Sequence, residues 1–193
     1  ATTSADIAIK ADGTAGEAKI NITTAAGASF VKTVTFFDTK PAAVTAAVKK
    51  AFVKAGSATE VTKVFALTVT DGSKNPIVSG LTITAAATDT ATTVGGAATC
   101  SAYDATDKVY YCGVKGLSAT KFGPVAYTFT VTGADAAKTK VTTSATTTFA
   151  DNVATKAVLA GPATGAPGAT VEYTLTLTEK NGYPVADQTY GVV

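Results

Sequence analysis

The feature that most constrains the fold of this chain is the alternation of apolar residues with threonine. Three segments carry it most clearly: 65–70 (Phe-Ala-Leu-Thr-Val-Thr), 127–132 (Tyr-Thr-Phe-Thr-Val-Thr) and 173–178 (Tyr-Thr-Leu-Thr-Leu-Thr). Successive side chains of a β-strand point to opposite faces, so each segment is predicted to be a strand with one buried face. Segment 18–23 follows the same rule, with its alanine and two isoleucines facing inward. Frequent turn residues between such short strands favour an all-β sandwich.

The segment 40–56 fits two secondary structures. Val44, Val48 and Phe52 recur at a spacing of four, which suits one face of an amphipathic helix. Because four is also even, the same residues share one face of a strand. The repeat described next favours the strand.

An internal repeat organises the chain. Segment 65–80 recurs 108 positions later as 173–188, and segment 50–56 resembles 156–161. Segments 18–24 and 36–38 likewise resemble 126–132 and 149–151. The repeat therefore predicts the end of one unit in residues 1–38, a complete unit in 39–151 and the beginning of a further unit in 152–193.

Half of a sandwich cannot bury its apolar face alone. We therefore expect residues 1–38 and 152–193 to pair with each other, with like subunits or with further repeats of the same chain, and we favour further repeats, followed by like subunits. Completion between subunits would produce a filament by strand exchange.

Several segments resemble bacterial immunoglobulin-like repeats. In residues 176–189 an alternating strand runs into an Asn-Gly-Tyr-Pro turn, and residues 12–23 with 26–36 resemble the closing strands of such a unit. The resemblance implies tandem immunoglobulin-like β-sandwich units, as in intimin- and invasin-like adhesins and in surface-layer proteins. The bias towards Ala, Thr and Lys, without Arg, His or Met, is more similar to surface-layer (S-layer) proteins. The segment around the two cysteines departs from the family pattern.

Cys100 and Cys112 are predicted to close a hairpin by a disulfide, with two buried reduced thiols as the alternative. If the cysteines face each other, the same register places Asp104 opposite Lys108. A disulfide implies an oxidising, extracytoplasmic location. A metal site at the cysteines is disfavoured because the chain has no histidine and no other cysteine.

The residue inventory argues against enzymatic chemistry. Without histidine, neither a Ser-His nor a Cys-His nucleophile pair can form, and the aspartates occupy predicted turns, where Asp is common for backbone reasons. We expect no catalytic residues, no enzyme activity and no cofactor apart from the calcium considered below. Evenly spread charges and the absence of Arg disfavour nucleic-acid binding. No apolar run reaches the length of a membrane-spanning helix, so we expect no membrane insertion.

Three residues are candidates for ligand or glycan attachment. Asp38 and Asp151 occupy corresponding repeat positions and are candidate Ca²⁺ ligands, with turn formation as the alternative. Asn21 begins an Asn-Ile-Thr sequon on the outward face of its predicted strand and is a candidate N-glycosylation site.

These features predict a structural protein of the cell surface, part of an S-layer or similar extracellular assembly. The first alternative is an adhesin stalk or binding module that recognises a glycan, the cell wall or a host protein. Its exposed loops would include the disulfide hairpin with Tyr103, Tyr110 and Tyr111. The second alternative is the filament subunit completed by strand exchange.

Overall fold

The protein is built from β-strands. The computed structural model describes Ser4 and residues 6–57, 59–88 and 95–185, and no helix occurs in these ranges. In chain order the strands are β1 (Gly16–Thr23), β2 (Ser29–Phe36), β3 (Ala43–Val48), β4 (Phe52–Lys54), β5 (Val61–Thr70), β6 (Thr82–Ala87), β7 (Thr99–Asp104), β8 (Val109–Val114), β9 (Gly123–Thr132), β10 (Lys140–Ala150), β11 (Lys156–Ala160) and β12 (Thr174–Thr178). The predicted all-β class is confirmed.

Strands β3 to β10 form two four-stranded sheets that face each other. One sheet has the order β3-β5-β8-β7 and the other β4-β10-β9-β6. Neighbouring strands run antiparallel, except that β4 runs parallel to the end of β10. Residues of both sheets share one apolar core, so this part of the chain is a β-sandwich.

Aromatic side chains from β5 and β9 fill the centre of the core. The Phe65 ring lies 5.5 Å from the Tyr127 ring and 5.1 Å from the Phe129 ring, measured between centroids. All three side chains are fully buried, as the alternation in these two segments predicts. The largest other buried side chains are those of Leu67, Ile77, Phe149 and several valines.

The ambiguous segment 40–56 forms two strands in different sheets. Strand β3 pairs with β5, whereas β4 pairs with β10 on the opposite side of the sandwich. The crossing is fixed by the N–H groups of Lys49 and Lys50, which both donate to the carbonyl of Val64. The strand interpretation is therefore confirmed, although the chain changes sheets where a single strand was expected.

One two-stranded hairpin precedes the sandwich in the sequence, and another follows it. Strand β1 pairs with β2 along eight residues, and β11 pairs with β12 along five. Isolated two-stranded hairpins are at best marginally stable in water, so these two hairpins need a further packing partner to be stable.

Candidate functional site

Cys100 and Cys112 form a disulfide that joins β7 to β8. The two residues are direct partners in the antiparallel ladder, and Cys112 is fully buried. The disulfide thus anchors the β7–β8 hairpin to the core. This is the pairing that the sequence predicts.

The predicted contact between Asp104 and Lys108 is wrong. The ladder shifts register between Cys100 and Tyr103, so that Asp104 lies opposite Val109. A bulge of this kind inserts an extra residue on one strand and moves every later pair by one position. Lys108 instead takes a left-handed turn conformation, with φ of 58°.

Lys63 replaces Lys108 as the cationic partner of this hairpin. Its ammonium lies 3.7 Å from an Asp104 carboxylate oxygen, 3.6 Å from one of Asp107 and 4.2 Å from the centre of the Tyr111 ring. Lys63 sits where the β5–β8 register is irregular and has a positive φ of 55°. The backbone of β5 therefore departs from regular geometry where this cation meets the hairpin.

The hydrogen bonds of this cluster shift the pKa values of two of its members. The N–H of Asp107 donates to Asp104, and this bond, with that from Thr106 and the nearby Lys63, lowers the pKa of Asp104. The Tyr111 hydroxyl donates to Asp107 at 2.7 Å, which raises the pKa of Tyr111. The cluster is an ionic and hydrogen-bonded network in which one ammonium, that of Lys63, faces the carboxylates of Asp104 and Asp107.

A cleft of about 420 Å³ lies beside this network. Its lining includes Tyr103, Tyr111, Lys63 and the disulfide-bonded Cys100. No group of three or more potential metal-ligating side chains is found in the described part of the chain. The cleft offers aromatic rings, hydroxyls, one ammonium and the carboxylates of Glu60 and Asp104, a mixture of apolar and polar groups that suits recognition of a polar ligand.

Tyr110 does not belong to the exposed surface of the hairpin, contrary to expectation. Its side chain is buried, and its hydroxyl donates to the carbonyl of Ile77 at 2.9 Å. Burial raises the pKa of Tyr110 to about 12, with a smaller contribution from Tyr103. Tyr110 and Cys112 are two residues apart on one strand and therefore share the inward face.

Asp38 and Asp151 occupy matching positions at the two ends of the sandwich. Asp38 accepts the N–H of Lys40, and Asp151 accepts the N–H of Val153, in the same two-residue turn. Asp151 also lies 4.0 Å from the ammonium of Lys180. Both carboxylates therefore have turn-forming roles, and calcium binding by either remains a prediction.

The sequon residue Asn21 lies on β1. Its side chain is exposed, whereas those of the neighbouring Ile20 and Ile22 are partly covered. This is the outward orientation that the alternation predicts. Glycosylation itself remains a prediction.

Asp71 is a buried acid that sequence inspection missed. Its side chain is only 2% exposed and accepts four hydrogen bonds, from the N–H groups of Ser73, Asn75 and Asp38 and from the Asn75 side-chain amide. Burial opposes ionisation, but these donors together hold the pKa of Asp71 below its ordinary value. The bond from Asp38 ties the turn after β5 to the segment that precedes β3.

Glu179 occupies the same place in the turn after β12. It is also 2% exposed, and it accepts the N–H groups of Asn181 and Tyr183. These donors stand two and four residues after the acid, as Ser73 and Asn75 do after Asp71. An acid directly after each repeated Thr-x-Thr strand is the sequence signal that would have revealed the pair.

The backbones of these two turns also correspond, residue by residue, at a spacing of 108. Proline 76 bridges to Thr70 and Pro184 to Thr178. The left-handed position is Lys74 in the first turn, with φ of 65°, and glycine 182 in the second, with φ of 87°. Glycine adopts this conformation at little cost, so the second turn is the less strained version of the first.

The β1–β2 hairpin has the pairing register of β9–β10. Adding 107 to the residue numbers of β1 and 113 to those of β2 gives the corresponding residues of β9 and β10. The Gly16–Phe36 pair thereby corresponds to the Gly123–Phe149 pair. Both glycines have positive φ, 153° and 137°. On this register Ile22 corresponds to Phe129 of the core. The alignment of 18–24 with 126–132 is therefore wrong by one position, an error that exchanges the two faces of a strand.

The β11–β12 hairpin has the register of β3–β5. Adding 113 to the residue numbers of β3 and 108 to those of β5 gives the corresponding residues of β11 and β12. The Ala46–Leu67 pair thereby corresponds to the Leu159–Leu175 pair. The N–H of residue 42 donates to Thr70, and correspondingly that of residue 155 donates to Thr178. The likeness of 50–56 to 156–161 is consequently misleading, because residues 52–54 belong to the opposite sheet.

Each end hairpin has one face that corresponds to the core-facing side of the sandwich strands, and several apolar side chains on these two faces are exposed. Leu159 is 65% exposed, Tyr173 53% and Leu175 51%. On the other hairpin Phe30 is 60% exposed, while Ile20 and Ile22 are partly covered. The second end hairpin thus presents exposed apolar side chains, Tyr173 and Leu175, that correspond to the buried Phe65 and Leu67. On the first, the partly covered isoleucines correspond to buried aromatic residues, whereas the exposed Phe30 corresponds to Thr143.

No protein family, curated protein or solved structure matches the chain. Among the described residues, no helix is long and apolar enough to cross a membrane.

Proposed function

We propose that this chain is a structural protein of a cell surface, built from immunoglobulin-like units and forming part of an S-layer or similar extracellular assembly. The units serve as rigid spacers and contact surfaces. The protein acts through its mechanical properties and its contacts with other molecules, with no catalytic step.

The strand order of the sandwich carries the proposal. A constant-type immunoglobulin sandwich places strands A, B, E and D in one sheet and C, F and G in the other. If β3 and β4 are the two halves of strand A, then β5 to β10 are strands B to G in sequence. The sheet β3-β5-β8-β7 then has the order A-B-E-D, and β10-β9-β6 has the order G-F-C.

The disulfide distinguishes this sandwich from antibody domains. In those domains a disulfide joins strands B and F between the sheets. Here the disulfide lies within one sheet, between β7 and β8, and aromatic side chains of β5 and β9 fill the space between the sheets. The core of the proposed unit is therefore closed by aromatic packing.

The end hairpins support an array of such units. Residues 1–38 contain the counterpart of the last two strands of the sandwich, and residues 152–193 contain the counterpart of its β3–β5 hairpin. We therefore retain the division into parts of three successive units, 1–38, 39–151 and 152–193. Repeated units with nearest-neighbour contacts are typical of extended surface proteins.

An extracellular location is part of the proposal. Structural disulfides persist in oxidising compartments and are rare in the cytosol. The Cys100–Cys112 disulfide is part of the folded sandwich, and Cys112 is enclosed in its core. Exposed Thr and Lys side chains on the strands keep the sheets soluble and discourage unwanted edge pairing.

Localisation and electron microscopy test this proposal together. Antibodies against the sandwich should label intact, unpermeabilised cells of the source organism, and purified full-length protein should form two-dimensional sheets or tubes. Both cysteines should resist alkylation in cell extracts until a reductant is added. Labelling that requires permeabilisation, together with freely alkylated cysteines, would overturn the proposal.

The cleft beside the disulfide hairpin favours a second candidate, a binding module for a polar ligand such as a glycan. Tyr103 and Tyr111 line this cleft with Lys63, and aromatic residues at such sites provide both an apolar face and a hydroxyl. Glycan-array binding that Tyr103→Ala abolishes, while the outward Asn21→Ala leaves it unchanged, would support this candidate. Absence of binding by the unaltered chain would eliminate it for the glycans tested.

A further inference from the structure

The exposed faces of the two end hairpins are complementary halves of one sandwich. We propose that they bind each other between two copies of the chain, head to tail. The first face, here called the N-face, consists of Ile20, Ile22, Phe30, Lys32 and Val34, of which Lys32 is the ladder partner of Ile20. The second, the C-face, consists of Leu159, Tyr173, Leu175 and Leu177. The inference rests on the proposed function to the extent that both hairpins are taken as parts of the same unit.

The sandwich supplies the template for this contact. Phe65 of β5 packs against Tyr127 and Phe129 of β9 at 5.5 and 5.1 Å between ring centres. The register carries Tyr127 onto Ile20 and Phe129 onto Ile22. Extending the spacing of 108 by one residue beyond the β11–β12 ladder makes Tyr173 the counterpart of Phe65. The N-face therefore corresponds to a surface that, in the sandwich, is covered by the counterpart of the C-face.

The sizes of the matched side chains are compatible with such packing. At the centre of the contact, two aromatic rings on β9 are replaced by two isoleucines on β1, whereas the facing aromatic is retained as Tyr173. Leu67 and Val69 become Leu175 and Leu177. The C-face is apolar, and the N-face is apolar except for Lys32, which stands opposite Ile20 where the sandwich has Ala145. Burying the apolar part of these faces is the main driving force of association.

Each copy carries one N-face and one C-face, so the contact is heterologous. A heterologous contact leaves an unused face at each end of the complex and therefore extends into open chains unless the geometry closes a ring. A symmetric contact between two N-faces would instead stop at a dimer. The stoichiometry of association consequently distinguishes the proposed partner from a symmetric one.

The experiment blocks each face separately in the 193-residue chain. Ile22→Lys replaces an apolar side chain of the N-face by a second ammonium, in addition to that of Lys32, and Leu175→Lys places an ammonium on the C-face. Burial of an unpaired charge is strongly unfavourable, so each block should weaken association at least about a hundredfold. Sedimentation velocity over a wide range of concentration should show open-ended association of the unaltered chain and monomers for either variant alone.

Mixing the two blocked variants gives the decisive result. The intact C-face of Ile22→Lys can bind the intact N-face of Leu175→Lys, so the mixture should form a one-to-one dimer and no larger species. Asn21→Lys and Thr176→Lys are matched controls on the outward faces of the same hairpins, and both should associate like the unaltered chain. Phe30→Lys is a second N-face variant at a more exposed position.

Three results would overturn the inference. These are a monomeric unaltered chain at every concentration, a mixture of blocked variants that stays monomeric, and a blocked variant that still dimerises alone. None of them bears on cell-surface labelling or on alkylation of the cysteines. Conversely, an intracellular location would overturn the proposed function and leave the sedimentation result intact.

Discussion

The β3–β5 and β11–β12 hairpins share a pairing register but differ in burial. Leu67 on β5 is completely buried, whereas its counterpart Leu175 on β12 is 51% exposed. The turns that follow β5 and β12 have the same backbone hydrogen bonds and a buried acid at the same position, Asp71 in the first and Glu179 in the second. This difference shows that the turn and the alternation of apolar residues with threonine determine which strands pair. Burial depends in addition on a second sheet, which covers the β3–β5 pair and is absent from the β11–β12 hairpin among the described residues.

The largest expected effect is the contrast between Leu67→Ala and Leu175→Ala. Truncation of a buried leucine removes core contacts and leaves a cavity, so Leu67→Ala should lower the free energy of unfolding of the sandwich by about 2 to 5 kcal/mol. Leu175→Ala should change it by less than about 0.5 kcal/mol in dilute solution. Urea denaturation followed by circular dichroism measures both, and equal losses would break the comparison.

Removal of the disulfide should be the next largest effect. In the chain-entropy model, a link between residues 12 apart in the sequence stabilises by about 3 kcal/mol. The double substitution Cys100→Ser with Cys112→Ser should therefore lower the stability of the sandwich by that amount in the same denaturation experiment. Amide exchange in β1–β2 and β11–β12 should not change, because neither hairpin contains the link.

The two buried acids sharpen the comparison further. Asp71→Ala leaves several buried donors without an acceptor, which should destabilise the sandwich by about 1 to 3 kcal/mol. Glu179→Ala should disorder its own turn and leave the unfolding transition of the sandwich in place. Residue-resolved hydrogen exchange distinguishes a local loss from a global one. A global loss for Glu179→Ala would contradict a local role of this acid.

The stabilisation by Asp71 should depend on pH with a defined sign. Because the folded pKa of Asp71 is lowered, its carboxylate stabilises the fold fully above the unfolded value of about 3.9, and this contribution disappears as the pH falls through the folded pKa. The stability difference between the unaltered chain and Asp71→Asn should therefore shrink in acid. A difference that grows below about pH 4 would contradict the assigned hydrogen bonds.

The smallest effect concerns two buried tyrosines. Tyr110→Phe removes a hydrogen bond to the carbonyl of Ile77 and should lower the free energy of unfolding by about 1 kcal/mol. The Tyr127 hydroxyl is buried and has no partner among the described residues, so Tyr127→Phe should be neutral or stabilising. Thermal unfolding of the two variants measures the contrast, and a larger loss for Tyr127→Phe would indicate an unrecognised partner.

Alternation allowed several features to be predicted from the sequence. The period-two rule gives the buried face of β9 and the inward isoleucines of β1, and the spacing of the two cysteines gives their pairing. The position of Tyr110 was available from the same rule, because Cys112 shares its face. What alternation cannot provide is the register past a bulge, as at Asp104, since an inserted residue leaves no periodic signal.

Long-range geometry accounts for the remaining errors. Lys63 reaches the hairpin from β5, and no local pattern places a residue of one strand beside Asp104 and Asp107 of another. The change of sheet after β3 is likewise fixed by pairing with β10, nearly one hundred residues away in the sequence. Such contacts depend on the closed sandwich and could not be inferred from neighbouring residues.

Amide hydrogen exchange as a function of chain concentration tests the central claim most directly. If the end hairpins are half units, amides of β5 and β9 should exchange slowly at every concentration. Those of β1–β2 and β11–β12 should exchange rapidly in dilute solution and become protected together as the concentration rises. Full protection of either end hairpin in dilute solution, or protection that develops in one hairpin without the other, would contradict the account.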